Sequence, residues 1–367
     1  MYSGYVHPTA TKKLHYWFVQ SQSNPATDPV VVWFNGGPGC SSMEGFMAEH
    51  GPLHMNDDDT ISMNPNAWNQ KANMIYLEAP VGVGFSTGAP SDFDVISDDT
   101  TSSDNRDAIK DFFTKFPEYL ENGLYISGES YAGIYVPTLI SKIVDDDILR
   151  PHFKGAAIGN GLYNWEKNQN SMIFFAKYHG LIDKRNWEGL REHCCVDGHT
   201  DQCDFFNFKT KKCEDMVNKV VELTWSGGLD VYNLYAECAG GVSRRNFQNT
   251  LVKNGKISIS FSCQWYDTTQ YDSVFVRLSI LNRFILGGLS FDIMDNIKPV
   301  GDAPPCTNDT ALEVYFNSKA TKEAIHVDLD IDWTLCNEEL GYQTQTDDVS
   351  KYIMHALDTV KPILNSP

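Results

Sequence analysis

Leu124-Tyr125-Ile126-Ser127-Gly128-Glu129-Ser130-Tyr131-Ala132-Gly133 runs from a short apolar stretch into a tight turn, and Ile134 to Val144 continues with helix-like apolar spacing. Strand, cramped turn carrying a serine, helix: this order is the layout of a nucleophile elbow. Gly128 and Ala132 are small because such a turn leaves little room against the neighbouring strand and helix. The strict pattern is G-x-S-x-G, and alanine in the last position is small enough to keep it.

Working outward, His15 to Val19, Val30 to Asn35, Met74 to Leu77 and Gly155 to Gly159 also read as strands, and Val30 to Phe34 as one buried on both faces. Asp104 to Phe116 reads as a helix that Pro117 stops. Strands separated by helical stretches predict an α/β fold, a mostly parallel sheet with helices on both sides. Residues 1–162 form the first part of that core. Residues 163–300 hold most of the cysteines and many aromatics without regular alternation, and read as an inserted cap with a polar, loop-like stretch at 243–270. Residues 301–367 return to the core. Ala311-Leu312-Val314-Tyr315 and Val349-Ile353-Ala356-Leu357 have helical spacing, whereas Pro362-Ile363-Leu364 reads as the start of another strand.

The bulk properties exclude several classes. With 42% hydrophobic and 21% charged residues, 367 residues describe an ordinary globular chain. A net charge of −19 argues against nucleic acid and anionic membranes as partners. No apolar run reaches the roughly 18 residues of a membrane span. The charge also fits an acidic compartment, where carboxylates protonate and self-repulsion eases. Nine cysteines, including adjacent Cys194-Cys195, lack the spacing of a zinc site and point to disulfides in an oxidising compartment. Asn308-Asp309-Thr310 is a glycosylation sequon at Asn308. The start, Met1-Tyr2-Ser3-Gly4-Tyr5, has no signal-peptide pattern, so the expectation is that the front of a precursor lies outside these residues.

A serine hydroxyl needs a base and donors for the oxyanion it creates. Asn35-Gly36-Gly37-Pro38-Gly39 follows a buried strand and suits the donor role. Alone it reads equally as a tight turn or as a donor loop; with the elbow the reading tips to half of an oxyanion hole.

Trp33-Phe34-Asn35-Gly36-Gly37-Pro38-Gly39-Cys40-Ser41-Ser42 together with Gly128 to Gly133 resembles the serine carboxypeptidase family. Tyr2-Ser3-Gly4-Tyr5, Glu49-His50-Gly51-Pro52, Pro80 to Ser86, Tyr232-Asn233-Leu234-Tyr235 and Pro304-Pro305-Cys306-Thr307 agree, so the similarity spans nearly the whole chain. The resemblance implies an α/β-hydrolase-like fold and a cofactor-free, metal-free hydrolysis of C-terminal residues from peptides at acidic pH. It implies Ser130 as nucleophile and the N–H groups of Gly37 and Tyr131 as oxyanion donors. Asn35, Gly36, Glu49 and Glu129 match the family's site for the substrate's terminal carboxylate. It implies the pairs Cys194–Cys213, Cys195–Cys203, Cys238–Cys306 and Cys40–Cys336, leaving Cys263 over. It further implies a lysosomal or secreted location, peptide substrates with a free carboxylate, and, as partners, a second copy of the chain and lysosomal glycosidases.

Two paired acids beside a carboxylate-binding site make physical sense only if they share a proton, which burial and mutual repulsion promote. Binding of a carboxylate should then weaken as pH rises.

The family's order is Ser, then Asp in an Asn-Gly-Asp turn, then His in a Gly-His motif. Neither motif occurs here, and His326 and His355, the two late histidines, fall in helix-like runs. The expectation is therefore that the late strands carrying Asp and His are missing and that this polypeptide made alone is inactive. A catalytically silent protective relative, and acyl transfer or ester hydrolysis on the same scaffold, stand as the alternatives.

Overall fold

The five apolar runs, joined by Tyr2–Val6 at one edge, become a six-stranded sheet in the computed structural model, which describes residues 1–56, 58–225, 230–235, 309–337 and 339–364. The strands are β1 (Tyr2–Val6), β2 (Leu14–Val19), β3 (Val30–Phe34), β4 (Leu53–Met55), β5 (Ile61–Met63), β6 (Asn73–Leu77), β7 (Leu124–Glu129) and β8 (Phe153–Gly159). The sheet runs β1-β2-β6-β3-β7-β8, and β4 and β5 form a separate hairpin. β6, β3, β7 and β8 are mutually parallel, while β1 and β2 add antiparallel pairings at one side.

Side-chain alternation shows why both faces are covered. Val30, Val32 and Phe34 of β3 enter one apolar cluster with Tyr16 and Phe18, whereas Trp33 joins Trp17, Met74 and Tyr76 on the other face. A strand with large apolar groups on both sides needs a layer on each. Helices α1 (Asp98–Lys115) and α2 (Ala132–Ile143) contribute Ile109, Phe112, Val136 and Leu139 to the first face. Leu312 and Phe316 of α6 (Thr310–Asn317) reach the second.

Helices α3 (Trp165–Tyr178), α4 (Lys184–Cys194) and α5 (Lys211–Trp225) lie between those layers in sequence and have an apolar cluster of their own, with Ile173, Leu190, Phe205 and Val217 at its centre. Short α7 (Lys319–Ala324) and α8 (Ser350–Leu364) complete the described elements, and α8 packs on α2.

Three expectations change. α1 starts at Asp98, six residues before the predicted Asp104, because Ser97 caps it: the Ser97 hydroxyl accepts from Thr100 N and Thr100 answers to Ser97 N. Residues 362–364 continue α8 rather than opening a strand; three apolar-leaning residues are too few to set a period, and the helix ahead of them carries on. His326 lies in a turn after α7 with φ of 60°, not in a helix.

The disulfides Cys40–Cys336, Cys194–Cys213 and Cys195–Cys203 are formed. Cys40–Cys336 closes a separation of 296 residues, worth about 5 kcal/mol in the chain-entropy picture. Cys238, Cys263, Cys306, Asn308 and the stretch 243–270 lie outside the described residues.

Candidate active site

β7 ends at Glu129 and α2 begins at Ala132, so two residues make the turn between them. Ser130 holds φ of 57°, a left-handed conformation that costs a non-glycine residue energy and is retained where a side chain must be presented. Its backbone is tied on both sides: Ser130 N donates to Gly159 O (3.1 Å), while Leu162 N and Gly133 N both donate to Ser130 O (2.9 Å). A Cβ on Gly128 would run into Phe34 O and come within 2.6 Å of the Ala132 methyl, which is why both positions must be small.

The glycine-rich loop after β3 closes onto this turn. A Cβ on Gly36 would lie 2.5 Å from Tyr131 N, 2.8 Å from Ser130 Cβ and 3.0 Å from Glu129 O. Among the described residues no backbone acceptor takes the N–H of Gly37 or of Tyr131. Two amides are thus left unspent, one directly after the serine and one next to Gly36, which touches it. The loop is held from below by Cys40 N donating to Gly36 O (3.1 Å), by the Ser41 N to Leu335 O bond (2.7 Å) and by the Cys40–Cys336 bridge. Gly36→Ala is expected to cost about 1–3 kcal/mol, because the added methyl meets backbone rather than a flexible side chain. Gly4→Ala, whose Cβ would stand 3.6 Å from the Tyr16 hydroxyl, serves as control. Urea unfolding of the two variants checks this.

Asn35 organises the acids. Its Oδ1 accepts from Trp33 Nε1 (2.6 Å) and Gly45 N (3.2 Å), so its Nδ2 must face the other way. There it meets three carboxylates: Glu44 Oε2 at 3.1 Å, Glu49 Oε1 at 3.0 Å and Glu129 Oε1 at 3.1 Å. An amide nitrogen has only two hydrogens to give. The three acids lie within 4.8 Å of one another, and among the described residues no cation pairs with any of them. Burial, then the neighbouring charges of Glu49, Glu129 and Asp309, push the Glu44 carboxyl up to about 8. Burial likewise raises Glu49, and burial followed by the charge of Glu49 raises Glu129. The group holds protons that ordinary carboxyls release.

Glu49 is delivered by an unusual element, a π-helical turn over Gly45–Glu49. Such turns are rare and concentrate at functional sites. Its carbonyl is held by His54 Nε2 (3.0 Å) and Asn64 Nδ2 (3.1 Å). The structure therefore brings together Asn35, Gly36, Glu49, Glu129, Ser130, Gly37 and Tyr131, and adds Glu44, which the sequence reading missed.

No histidine among the described residues hydrogen-bonds Ser130. His355 is exposed on α8 and pairs with Asp145 (3.0 Å). Ser3, His15 and Glu78 stand in relay order, with Ser3 Oγ to His15 Nε2 at 2.9 Å and His15 Nδ1 to Glu78 Oε2 at 2.8 Å. His15 and Glu78 are wholly buried and the Ser3 hydroxyl also bonds Ile325 O, so this relay is structural.

Residues 1–364 match the family described as serine carboxypeptidase. The chain belongs to the serine carboxypeptidase family. It is 40% identical over 339 residues to the lysosomal protective protein of Mus musculus, covering 92% of this chain and 66% of that protein. It is 34% identical over 343 residues to serine carboxypeptidase ctsa-4.1 of Caenorhabditis elegans, again covering 66% of the relative. The chain thus spans about two thirds of the length of these serine carboxypeptidase relatives. Among solved structures it is similar to Kex1(delta)p, a prohormone-processing carboxypeptidase from Saccharomyces cerevisiae, with a TM-score of 0.60 and 20% identity over 97% of this chain and 76% of that one. The fold is that of the α/β-hydrolases, and no described helix is long and apolar enough to cross a membrane.

Proposed function

We propose that the protein is an acid-active serine carboxypeptidase in which Ser130 forms an acyl-enzyme with the substrate's penultimate carbonyl. The observation that carries the reading is Asn35 Nδ2 donating to both Glu49 and Glu129 beside the elbow. A carboxylate cannot approach two ionised acids, but it can accept a hydrogen bond from a pair that shares a proton. In this reading Asn35, Gly36, Glu49 and Glu129 hold the terminal carboxylate, while Gly37 N–H and Tyr131 N–H receive the oxyanion. Each such donor is worth about 3–4 kcal/mol in the transition state. The hydroxyl proton leaves to a general base, and water later releases the acyl group. A proton-sharing site suits an acidic lysosomal or secretory compartment, as does the name of the mouse relative.

The test compares peptides with free and amidated C-termini from pH 4.5 to 8, using the full protein and Ser130→Ala. The free acids should turn over at least tenfold faster at pH 5, and their KM should climb as pH rises and the Glu49–Glu129 pair ionises. Indifference to the amide, or turnover that survives Ser130→Ala, would count against carboxypeptidase action.

A further inference from the structure

Asp98 is the first residue of α1 and only 2% exposed, yet among the described residues no cation pairs with it. Its four acceptor positions are filled instead by neutral donors. Oδ1 accepts from the hydroxyls of Tyr131 and Tyr342, both at 2.8 Å. Oδ2 accepts from the backbone N–H groups of Gln345 and Thr346, both at 2.8 Å. The Tyr131 hydroxyl also lies 3.3 Å from Thr344 Oγ1. One carboxylate therefore joins three stretches far apart in sequence: the start of α1, the residue after Ser130, and the loop 342–346. Burying a carboxylate is costly unless it is fully hydrogen-bonded, and here it is, with the start of a helix behind it. Burial, and then the charge of Asp98, hold the Tyr131 phenol well above its ordinary range, so it stays a donor.

The consequence lies in which atoms Tyr131 carries. Its N–H is unspent and directly follows Ser130, and it stands against Gly36 across a gap that a methyl could not enter. The backbone between Glu129 and Ala132 is a two-residue turn with Ser130 at positive φ, a conformation that needs outside support. The Tyr131 ring supplies it: buried to 2% exposure, it packs edge-on to Tyr135 and Tyr342, and its far end is fixed by Asp98. We propose that Asp98 is a positioning residue for the oxyanion donor, holding Tyr131 and the loop 342–346 as one clasp on the elbow. This rests on the carboxypeptidase reading only for its kinetic consequence; the clasp itself is a statement about the elbow's backbone.

Asp98→Asn keeps the shape but turns an acceptor into a donor, so either both phenols or both amides face an NH2. Tyr131→Phe removes one hydroxyl and keeps the backbone N–H, which guards against a simple folding failure. Both variants and their combination are measured for kcat and KM on a free-acid peptide, and for amide exchange of the elbow and of residues 342–346. The expected result is a fall in kcat of roughly tenfold or more in each single variant, KM within about twofold, and a double variant no worse than the poorer single one. Elbow amides should exchange faster in all three, whereas Tyr342→Phe should loosen 342–346 and leave the elbow protected. Unchanged elbow exchange and unchanged kcat in Asp98→Asn and Tyr131→Phe, or fully additive effects, would overturn the proposal. If the full protein shows no turnover that Ser130→Ala abolishes, the carboxypeptidase reading fails, and elbow exchange alone decides the role of Asp98.

Discussion

Glu78→Ala is expected to lower the unfolding free energy by about 3–5 kcal/mol, the cost of stripping one partner from a buried ion pair. Glu78 and His15 are both 0% exposed, with Nδ1 2.8 Å from Oε2. The carboxylate also accepts from Phe85 N and Trp333 Nε1, each at 2.8 Å, and from the Ser41 hydroxyl. Truncation leaves four buried donors without an acceptor, at about 1–3 kcal/mol each before relaxation. A domain of this kind is stable by only about 5–15 kcal/mol, so one substitution removes a large fraction. The damage is placed where it matters, because Ser41 lies in the glycine-rich loop and the adjacent Ser42 hydroxyl donates to Leu77 O (2.7 Å) while accepting from Asn35 N (3.2 Å). Urea midpoints for Glu78→Ala, His15→Ala and the double variant measure the effect. The double variant should lose much less than the sum of the singles. A change under about 1 kcal/mol in Glu78→Ala would mean that water or neighbouring groups take over the freed donors.

The elbow and the glycine-rich loop were legible because their constraints are local. Small residues at 128, 132 and 36 answer to backbone crowding within a few ångströms, and the sequence displays that directly. Most of the sheet was legible for a similar reason, since short apolar runs mark the strands β2, β3, β6 and β7, whereas the half-exposed edge strand β1 (Tyr2–Val6) has no such run and was not read as a strand. Glu44 was not. At α-helical pitch residues five apart diverge by roughly 140°, so Glu44 and Glu49 look like members of different faces. The π-helical turn closes an i→i+5 bond, His50 N to Gly45 O (3.0 Å), and brings both acids to Asn35. The start of α1 was hidden likewise. Asp98 to Ser103 is a polar run with no apolar spacing to mark it as helix, and burial against Tyr131 and the loop 342–346 explains the aspartate there. The family pairing of cysteines carried three bridges that spacing alone leaves open.

Raising the pH from 5 to 8 is expected to destabilise the fold, by on the order of 2–4 kcal/mol from the acid cluster. The sign follows from proton counting. An unfolded Glu44 releases its proton near 4.5, whereas burial and the charges of Glu49, Glu129 and Asp309 keep it bound up to about 8 in the folded chain. Between those values the native state holds more protons than the unfolded one, so stability is fully present below the lower value and is lost as pH climbs through the upper. Glu49 and Glu129, both raised, act in the same direction. Asp146 acts oppositely: burial works to raise it, but Lys110 and the amides of Leu149 and Ile148 outweigh that, so its contribution is lost as pH falls into the acid range. The two trends place maximum stability in mildly acidic solution. A net charge of −19 also grows more self-repulsive with pH, so the profile of the wild type alone does not isolate the cluster. Glu44→Gln does, because it keeps a hydrogen-bonding side chain of the same shape while removing the titration and changing the overall charge by one. Its melting temperature should decline less between pH 5 and 8 than that of the wild type, with the two curves converging at pH 5. Parallel curves across the whole range would place the cluster's protons elsewhere and remove the physical basis for an acid-dependent carboxylate site.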